Sequence, residues 1–274
     1  MNNHRIVSSL LVIPFVYLLI IWGGFPFFVI ITGLIVAGLI EFFRMCELRQ
    51  FPAVRWWAVL SSVLLMLNAY FIIGGDTISM SGDFTSLIMT FSFAGLMLIL
   101  LIRSDSKTAV VKAGITLLGI FYVAWMLFHA VLLREMKPYG FQFVAIAVIA
   151  TWCSDTGAYF IGLKFGQRRR LHPVSPNKSR AGAIGSVMFG TATVFVMRSI
   201  FDLYFISDLK AVILGVSIGI FSVLGDLVES MIKRSLGHKD SGKFMPGHGG
   251  ILDRIDSLIF TVPFTYYFVK WFVL

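Results

Sequence analysis

Nine apolar runs, each long enough to cross a membrane, constrain this chain more than any other feature. A transmembrane helix needs about 20 mostly apolar residues. Of the 274 residues, 58% are hydrophobic and 14% charged, which is more apolar than a soluble domain of this size can bury. The sequence therefore predicts an all-α, polytopic integral membrane protein with about nine transmembrane helices. The candidate spans are 6–22, 26–43, 56–73, 86–102, 110–133, 141–165, 181–201, 211–230 and 255–273.

The Lys and Arg residues lie in alternate loops, and this pattern predicts the orientation. Loops 44–55, 103–109 and 166–180 are basic, whereas loops 74–85 and 202–210 carry little positive charge. Because basic loops stay in the cytosol, we expect a cytosolic amino terminus and an external carboxyl terminus. The net charge of +9 follows from these loops, so no nucleic-acid partner is expected. The first run has no A-x-A-like cleavage site and is interpreted as a retained span.

The chemistry-bearing residues are concentrated in the second half of the chain. Residues 1–109, with about four spans, are predicted to be a membrane scaffold that contacts lipid and has no acid in the interiors of its spans. Residues 110–274, with about five spans, are predicted to be the catalytic region, with cytosolic loops 164–182 and 231–254. The G-x-x-x-G pattern at 215–219 predicts close helix packing.

Acidic residues inside apolar spans are costly, by about 2.5–3.5 kcal/mol at mid-helix. Asp155 and Asp226 are such residues, and Glu229 follows Asp226 by three positions on one helix side. Asp253 and Asp256 repeat that spacing. At about 1.5 Å per residue, Asp155, Asp226 and Asp256 reach one level near the cytosolic edge. Each could be a buried acid paired with a lysine. Their convergence favours a shared cation, and carboxylates without paired Cys or His ligands favour Mg²⁺.

Cations and glycines surround these acids at the cytosolic face. Ordinary positive-inside anchoring explains Arg168–Arg170, but it fits less well for bases that alternate with glycines and acids. The turn Pro246–Gly250 cannot continue a helix, and its backbone N–H groups could converge on an anion. Together the acids, bases and glycine-rich turn predict a phosphate site. The bases are Lys178, Lys233, Arg234, Lys239, Lys243 and Arg254.

At these residues the sequence resembles the phosphatidate cytidylyltransferase (CDP-diacylglycerol synthase) family. Every fixed position of that family's signature is present, and the segments "SDTGAYFIGLKFG", "SPNKS" and "GDLVES" also look like family segments. The chain departs from the pattern at Arg180, Ala181 and Gly185-Ser186. The signature positions are Ser230, Lys233-Arg234, Lys239-Asp240, Pro246-Gly247-His248-Gly249-Gly250, Asp253-Arg254 and Asp256.

The resemblance implies transfer of a cytidylyl group from CTP to phosphatidic acid, giving CDP-diacylglycerol and pyrophosphate. The expected catalytic residues are Asp226, Asp253, Lys239, Arg254 and Asp256. Mg²⁺, with room for a second cation beside it, is expected on Asp226 and Asp253, with Asp155, Glu229 and Asp256 as further ligands. Substrates are expected to bind Ser175, Lys178, Ser179, Lys233, Arg234, Lys243, Gly247, His248, Gly249 and Gly250.

The expected setting is a bacterial inner membrane, with the active site at the cytosolic face and membrane lipid as a partner. A homodimer is compatible with an intramembrane enzyme of this kind. The main alternative is an ion-coupled transporter that uses the intramembrane acids. It would need polar residues through the full membrane thickness, and the outer halves of these spans offer few.

Overall fold

The structure, a computed structural model, describes residue 14 and residues 16–73, 78–166, 170–242 and 249–274. Residues 16–22 are helical. The helices that follow are α1 (Gly24–Leu48), α2 (Arg55–Asn68), α3 (Ile78–Arg103), α4 (Ser106–Gly119), α5 (Met126–Arg134), α6 (Gly140–Phe165), α7 (Arg180–Ile200), α8 (Asp208–Ser235) and α9 (Leu252–Phe268). Three π-helical stretches extend them: Ala69–Ile73 after α2, Ile120–Trp125 between α4 and α5, and Val269–Val273 after α9.

Six helices within the described ranges are long and apolar enough to cross a membrane, which confirms the integral membrane class. They are Gly24–Leu48, Phe84–Arg103, Ser106–Arg134, Gly140–Phe165, Arg180–Ile200 and Asp208–Ser235. The predicted spans 56–73 and 255–273 are also helical, and most of the predicted span 6–22 lies outside the described residues. The number of nine spans and the orientation of the termini stay predictions.

Contacts divide the chain into two compact units. The first, unit 1, comprises Met1–Glu135 and Leu236–Asp253, and the second, unit 2, comprises Met136–Ser235 and Arg254–Leu274. The predicted division at residue 109 separated a scaffold from a catalytic region by chemistry, and that functional division stays a prediction.

In unit 1, Arg134 binds the end of the helical residues 16–22, which precede α1. Gly23 has φ +58° and separates residues 16–22 from α1. The Arg134 guanidinium donates to the carbonyls of Ile20 (2.9 Å) and Ile21 (3.2 Å). These carbonyls are at the end of a helix, where backbone acceptors lack partners within the helix. Arg134 therefore completes the end of that helical stretch.

In unit 2, α7 packs closely against α8 through small residues. A Cβ atom added at Gly219 would come within 2.5 Å of the Val187 Cα, and Gly215 faces Thr191 in the same way. The Ser186 hydroxyl donates to the Gly219 carbonyl at 3.0 Å. The close packing predicted from the G-x-x-x-G pattern is confirmed, because only hydrogen side chains permit this approach.

The loop between α6 and α7 contains a short antiparallel hairpin, which the expectation of an all-helical chain did not include. Strand β1 (Arg170–His172) pairs with β2 (Ser175–Ser179), and Arg170 lies opposite Ser179. The segment lies outside the candidate spans, where water can satisfy the edges of a small sheet. The hairpin belongs to unit 2, and its second strand places Lys178 two residues before α7 begins.

Candidate functional site

An ion pair between β2 and α8 forms the centre of the candidate site in unit 2. The Lys178 ammonium contacts the Asp226 carboxylate, and both side chains are partly exposed. The Ser230 hydroxyl, one turn further along α8, lies 3.4 Å from the same carboxylate. A predicted metal ligand and a predicted phosphate-binding lysine therefore meet at one point, although they are far apart in the sequence.

Two further carboxylates lie within electrostatic range of this pair. Asp155 on α6 and Asp256 on α9 interact with Asp226, with each other and with Lys178. The Asp155 carboxylate also accepts hydrogen bonds from the hydroxyls of Ser222 and Ser257, the second at 3.3 Å. Asp155 is exposed and Asp256 is half-buried. Asp155, Asp226 and Asp256, from three helices, therefore lie within electrostatic range of one another in unit 2, and their role as a shared cation site stays a prediction. We call these three acids with Lys178 the acid–lysine cluster.

The close approach of α8 and α9 depends on Gly225. A Cβ atom at this position would lie 2.5 Å from the Asp256 carbonyl oxygen and 3.1 Å from the Ser257 Cα. Asp226 follows Gly225 directly, so the same contact brings the Asp226 backbone near the start of α9. The Asp256 carboxylate accepts a hydrogen bond from the Ser257 N–H at 2.7 Å.

Glu229 and Lys233, two further predicted site residues on α8, form a separate ion pair. Glu229, which is buried, contacts the Lys233 ammonium one turn along the helix. Opposite charges at this spacing are neighbours on the helix surface. Arg234 is exposed. Lys233, predicted to receive a substrate phosphate, is therefore bound to Glu229 in this structure.

The two predicted serines lie at the ends of β2. The Ser179 hydroxyl accepts a hydrogen bond from the Gly182 N–H at 3.1 Å and caps the first turn of α7. Such a cap satisfies one of the unpaired N–H groups of a helix start. Ser175 pairs with His172 in the hairpin and is half-buried.

The donor chemistry of the acid–lysine cluster fits a hard divalent cation. Mg²⁺ prefers carboxylate, hydroxyl and water oxygens, and the cluster offers these atoms without a competing Cys or His ligand. Among the residues that the structure describes, no group of three or more acids, histidines or cysteines is closed into a metal-binding arrangement. Lys178 supplies the positive charge beside Asp226.

Gly249 and Gly250, the described end of the predicted glycine-rich turn, lie in unit 1 together with the acid Asp253. The Asp253 carboxylate accepts hydrogen bonds from the N–H groups of Gly250 (2.7 Å) and Ser241 (3.0 Å). Gly249 adopts φ +80°, where a side chain would be strained. Lys239 and Arg254 are exposed. The predicted substrate residues Lys243, Gly247 and His248 lie outside the described residues.

Sequence reasoning missed Glu41. We expected no acid in the interiors of the first four spans, but Glu41 lies within α1 and is 9% exposed. Its carboxylate accepts hydrogen bonds from the Ile251 N–H (2.9 Å), the Leu252 N–H (3.1 Å) and the Ser241 hydroxyl (3.0 Å). The signal in the sequence was one acid in the apolar run "AGLIEFF", near its predicted end.

Comparison with known proteins gives a consistent result over nearly the whole chain. The profile described as the cytidylyltransferase family matches residues 3–272. A protein named phosphatidate cytidylyltransferase from Synechocystis sp. is 33% identical over 98% of this chain and 97% of its own length. The proteins of that name from Bacillus subtilis (30%, over 99% of this chain and 98% of theirs) and Haemophilus influenzae (34%, over 98% of both) are similar to the same extent.

Proposed function

The chain belongs to the cytidylyltransferase family, and on that premise we propose that it transfers the cytidylyl group of CTP to phosphatidic acid. The products are CDP-diacylglycerol and pyrophosphate. The relatives that match it end to end carry the name of this activity. The chain is an enzyme, a nucleotidyltransferase embedded in a membrane. The ion-coupled transporter gains no support from these relatives.

The observation that carries the proposal is the acid–lysine cluster of unit 2. Phosphoryl and nucleotidyl transfer need charge neutralisation and alignment more than covalent help from the protein. The cluster combines three carboxylates, suited to a divalent cation, with a lysine suited to a phosphate. An enzyme with an anionic phosphate substrate can use such a lysine to bind it.

The proposed reaction is an in-line displacement at the α-phosphorus of CTP. An oxygen of the lipid phosphate forms the new bond to this phosphorus, and the bond from the phosphorus to the oxygen of the β-phosphate breaks. Pyrophosphate leaves with that electron pair. The lipid phosphate is already ionised at neutral pH, so the step needs no general base.

We assign the residues of unit 2 to the two charges of the reaction. Asp226, with Asp155 and Asp256, would hold Mg²⁺, which when bound neutralises charge on the nucleotide phosphates. Lys178 would leave Asp226 and bind a phosphate oxygen of phosphatidic acid, with Lys233 and Arg234 nearby on α8. Binding of the triphosphate by Lys239, Arg254 and the glycine-rich turn stays a prediction from the sequence. Asp253 and Glu229 as metal ligands, and a second cation, stay predictions from the sequence.

The membrane setting of the proposed site follows from its substrates. The lipid would enter from the side between helices, and CTP would enter from the cytosol. Bacterial relatives support an inner-membrane location with the site at the cytosolic face. A homodimer and the expected absence of a nucleic-acid partner stay predictions.

The test is an assay of the purified protein in detergent with radiolabelled CTP and phosphatidic acid. We expect labelled CDP-diacylglycerol and an equal amount of pyrophosphate when Mg²⁺ is present, and neither product when the chelator EDTA is added. Lysophosphatidic acid and glycerol 3-phosphate serve as matched acceptors that lack one or both acyl chains. Failure to form the lipid product with Mg²⁺ and both substrates present would refute the proposed function.

A further inference from the structure

Glu41 makes a set of hydrogen bonds that a residue used only for lipid contact would not make. Its two carboxylate oxygens accept from two backbone N–H groups and one hydroxyl, and all three donors belong to residues 241–252. Burying a carboxylate is costly unless such partners satisfy it, and hydrogen bonds to a charged acceptor are strong. These three hydrogen bonds therefore offset the cost of burying the Glu41 carboxylate within α1.

The two amides that Glu41 binds lie at the start of α9. The first N–H groups of a helix have no partner within the helix, and the helix dipole favours negative charge there. Glu41 supplies both an acceptor for these N–H groups and a negative charge at the helix start. It does so for Ile251 and Leu252 from a helix that lies about 200 positions earlier in the chain. The beginning of α9 is thereby fixed to α1 within unit 1.

Arg49 holds the other end of the same segment. It follows α1 directly, and its Nε donates to the Leu236 carbonyl at 2.8 Å. Gly237 has φ +71°, and a Cβ atom there would overlap the Arg49 guanidinium. The carboxyl-terminal end of α1 thus contacts the segment 236–253 near its first residue, through Arg49, and near its last, through Glu41.

Glu41 and Asp253 both accept hydrogen bonds from Ser241 and from residues 250–252. Asp253 accepts from the N–H groups of Ser241 and Gly250. Glu41 accepts from the Ser241 hydroxyl and from the N–H groups of Ile251 and Leu252. Added Cβ atoms at Gly242 and Gly250 would both overlap Glu41. The two acids therefore fix the place where the chain leaves residue 242 and the place where it returns at residue 249.

We propose that Glu41 is a positioning residue for nucleotide binding: its carboxylate holds residues 239–242 and 249–253 in the arrangement that presents Lys239 and Asp253 to CTP. This inference rests on the proposed function, because it assigns the segment to the CTP side of the reaction. Glu41 itself does not touch the substrate. Its effect passes through the main chain and through Asp253.

The test compares Glu41→Gln with the full-length wild-type protein in detergent. Glutamine keeps the size, but its NH₂ group faces donors and leaves at least one of them unsatisfied. We expect kcat/KM for CTP to fall by about 10–100-fold, as for other residues that orient a site through its ligands. The KM for phosphatidic acid should stay at its wild-type value, while the melting temperature should fall modestly because a buried donor loses its acceptor.

Two matched variants sharpen this test. Glu47→Gln makes the same change on the same helix, at an exposed residue that contacts Arg55, and should leave both KM values unchanged. Glu41→Asp keeps an acceptor-only carboxylate and should recover part of the lost kcat/KM. If kcat/KM for CTP and kcat/KM for phosphatidic acid fall by the same factor, Glu41 only stabilises the fold and the inference is overturned.

A second measurement does not depend on activity. Lys239 is exposed and precedes Ser241 by two positions, so trypsin cleavage after Lys239 reports how firmly this stretch is held. We expect faster cleavage in Glu41→Gln than in Glu47→Gln. A wild-type protein inactive toward CTP and phosphatidic acid would refute the proposed function, while equal cleavage rates and kinetics in an active Glu41→Gln protein would refute the positioning role alone.

Discussion

The acids of the two units are held in different ways. In unit 1, the carboxylates of Glu41 and Asp253 accept hydrogen bonds mainly from backbone N–H groups. In unit 2, the carboxylates of Asp155 and Asp226 are bound by side chains, namely three serine hydroxyls and the Lys178 ammonium. The residue type is similar in both units, and the partners differ.

This difference separates acids that fix the chain from acids that can exchange a partner. A backbone N–H cannot leave a carboxylate unless the main chain moves, so an acid bound to it determines the path of a loop. A lysine ammonium on a flexible side chain can leave by rotation about single bonds. We therefore expect that Asp226 can exchange Lys178 for a metal ion and that Glu41 keeps its partners.

The largest expected effect would come from neutralising the exchangeable acid. Asp226→Asn should lower CTP-dependent turnover by about 10²–10³-fold, because an amide does not supply the charge that holds a cation at the reacting phosphates. The variant should insert and purify normally. The measurement is CDP-diacylglycerol formation, with Asp208→Asn, at the other end of α8 and paired with Arg198, as the control. Wild-type turnover in Asp226→Asn would remove the metal hypothesis.

The second largest effect is expected for Gly250→Ala, which tests how closely Glu41 packs against Gly250. A Cβ atom at Gly250 would overlap both the Glu41 carboxylate and the Ser241 hydroxyl. Gly250→Ala should therefore destabilise the protein by about 1–3 kcal/mol, as overpacking does in other cores. The measurement is the melting temperature in detergent. Gly33→Ala on α1, where an added Cβ meets nothing within 4 Å, should not lower it, and equal values for both variants would contradict the packing argument.

Removing the lysine tests whether the ion pair of unit 2 serves a substrate. Lys178→Met should raise the KM for phosphatidic acid about tenfold, which corresponds to the loss of one charge-assisted hydrogen bond. Lys178→Arg should retain more of the affinity because it keeps a cation. Lys270→Met, at an exposed lysine over the Tyr266 ring, is the control. If Lys178→Met binds phosphatidic acid as the wild type does, the lysine serves only to neutralise Asp226.

The smallest effect concerns the cap of α7. Ser179→Ala removes the acceptor of the Gly182 N–H and should reduce stability by about 0.5–2 kcal/mol. Ser179→Thr keeps a hydroxyl and should recover most of this loss. Substrate KM values measured in parallel distinguish the cap from the predicted substrate contact, since only the latter raises KM. An unchanged melting temperature in Ser179→Ala would refute the capping role.

Much of the acid–lysine cluster could be predicted from the sequence. An acid within an apolar run is rare, so Asp155 and Asp226 attracted attention by position alone, and the helical rise placed Asp256 at the same level. Lys178 was identified with a family segment, but its pairing with Asp226 was not predicted. That pair depends on the hairpin, whose strands of three and five residues are too short to give a clear alternating pattern.

The sequence by itself determined the class of protein, its apolar helices and its family, because these depend on local composition and on a long signature of neighbouring residues. The tertiary structure decided which acids fix the chain and which acids face a lysine. Glu41 shows the physical reason: the cost of a buried carboxylate is offset by donors far away in the sequence, and no pattern of neighbours records where those donors will lie.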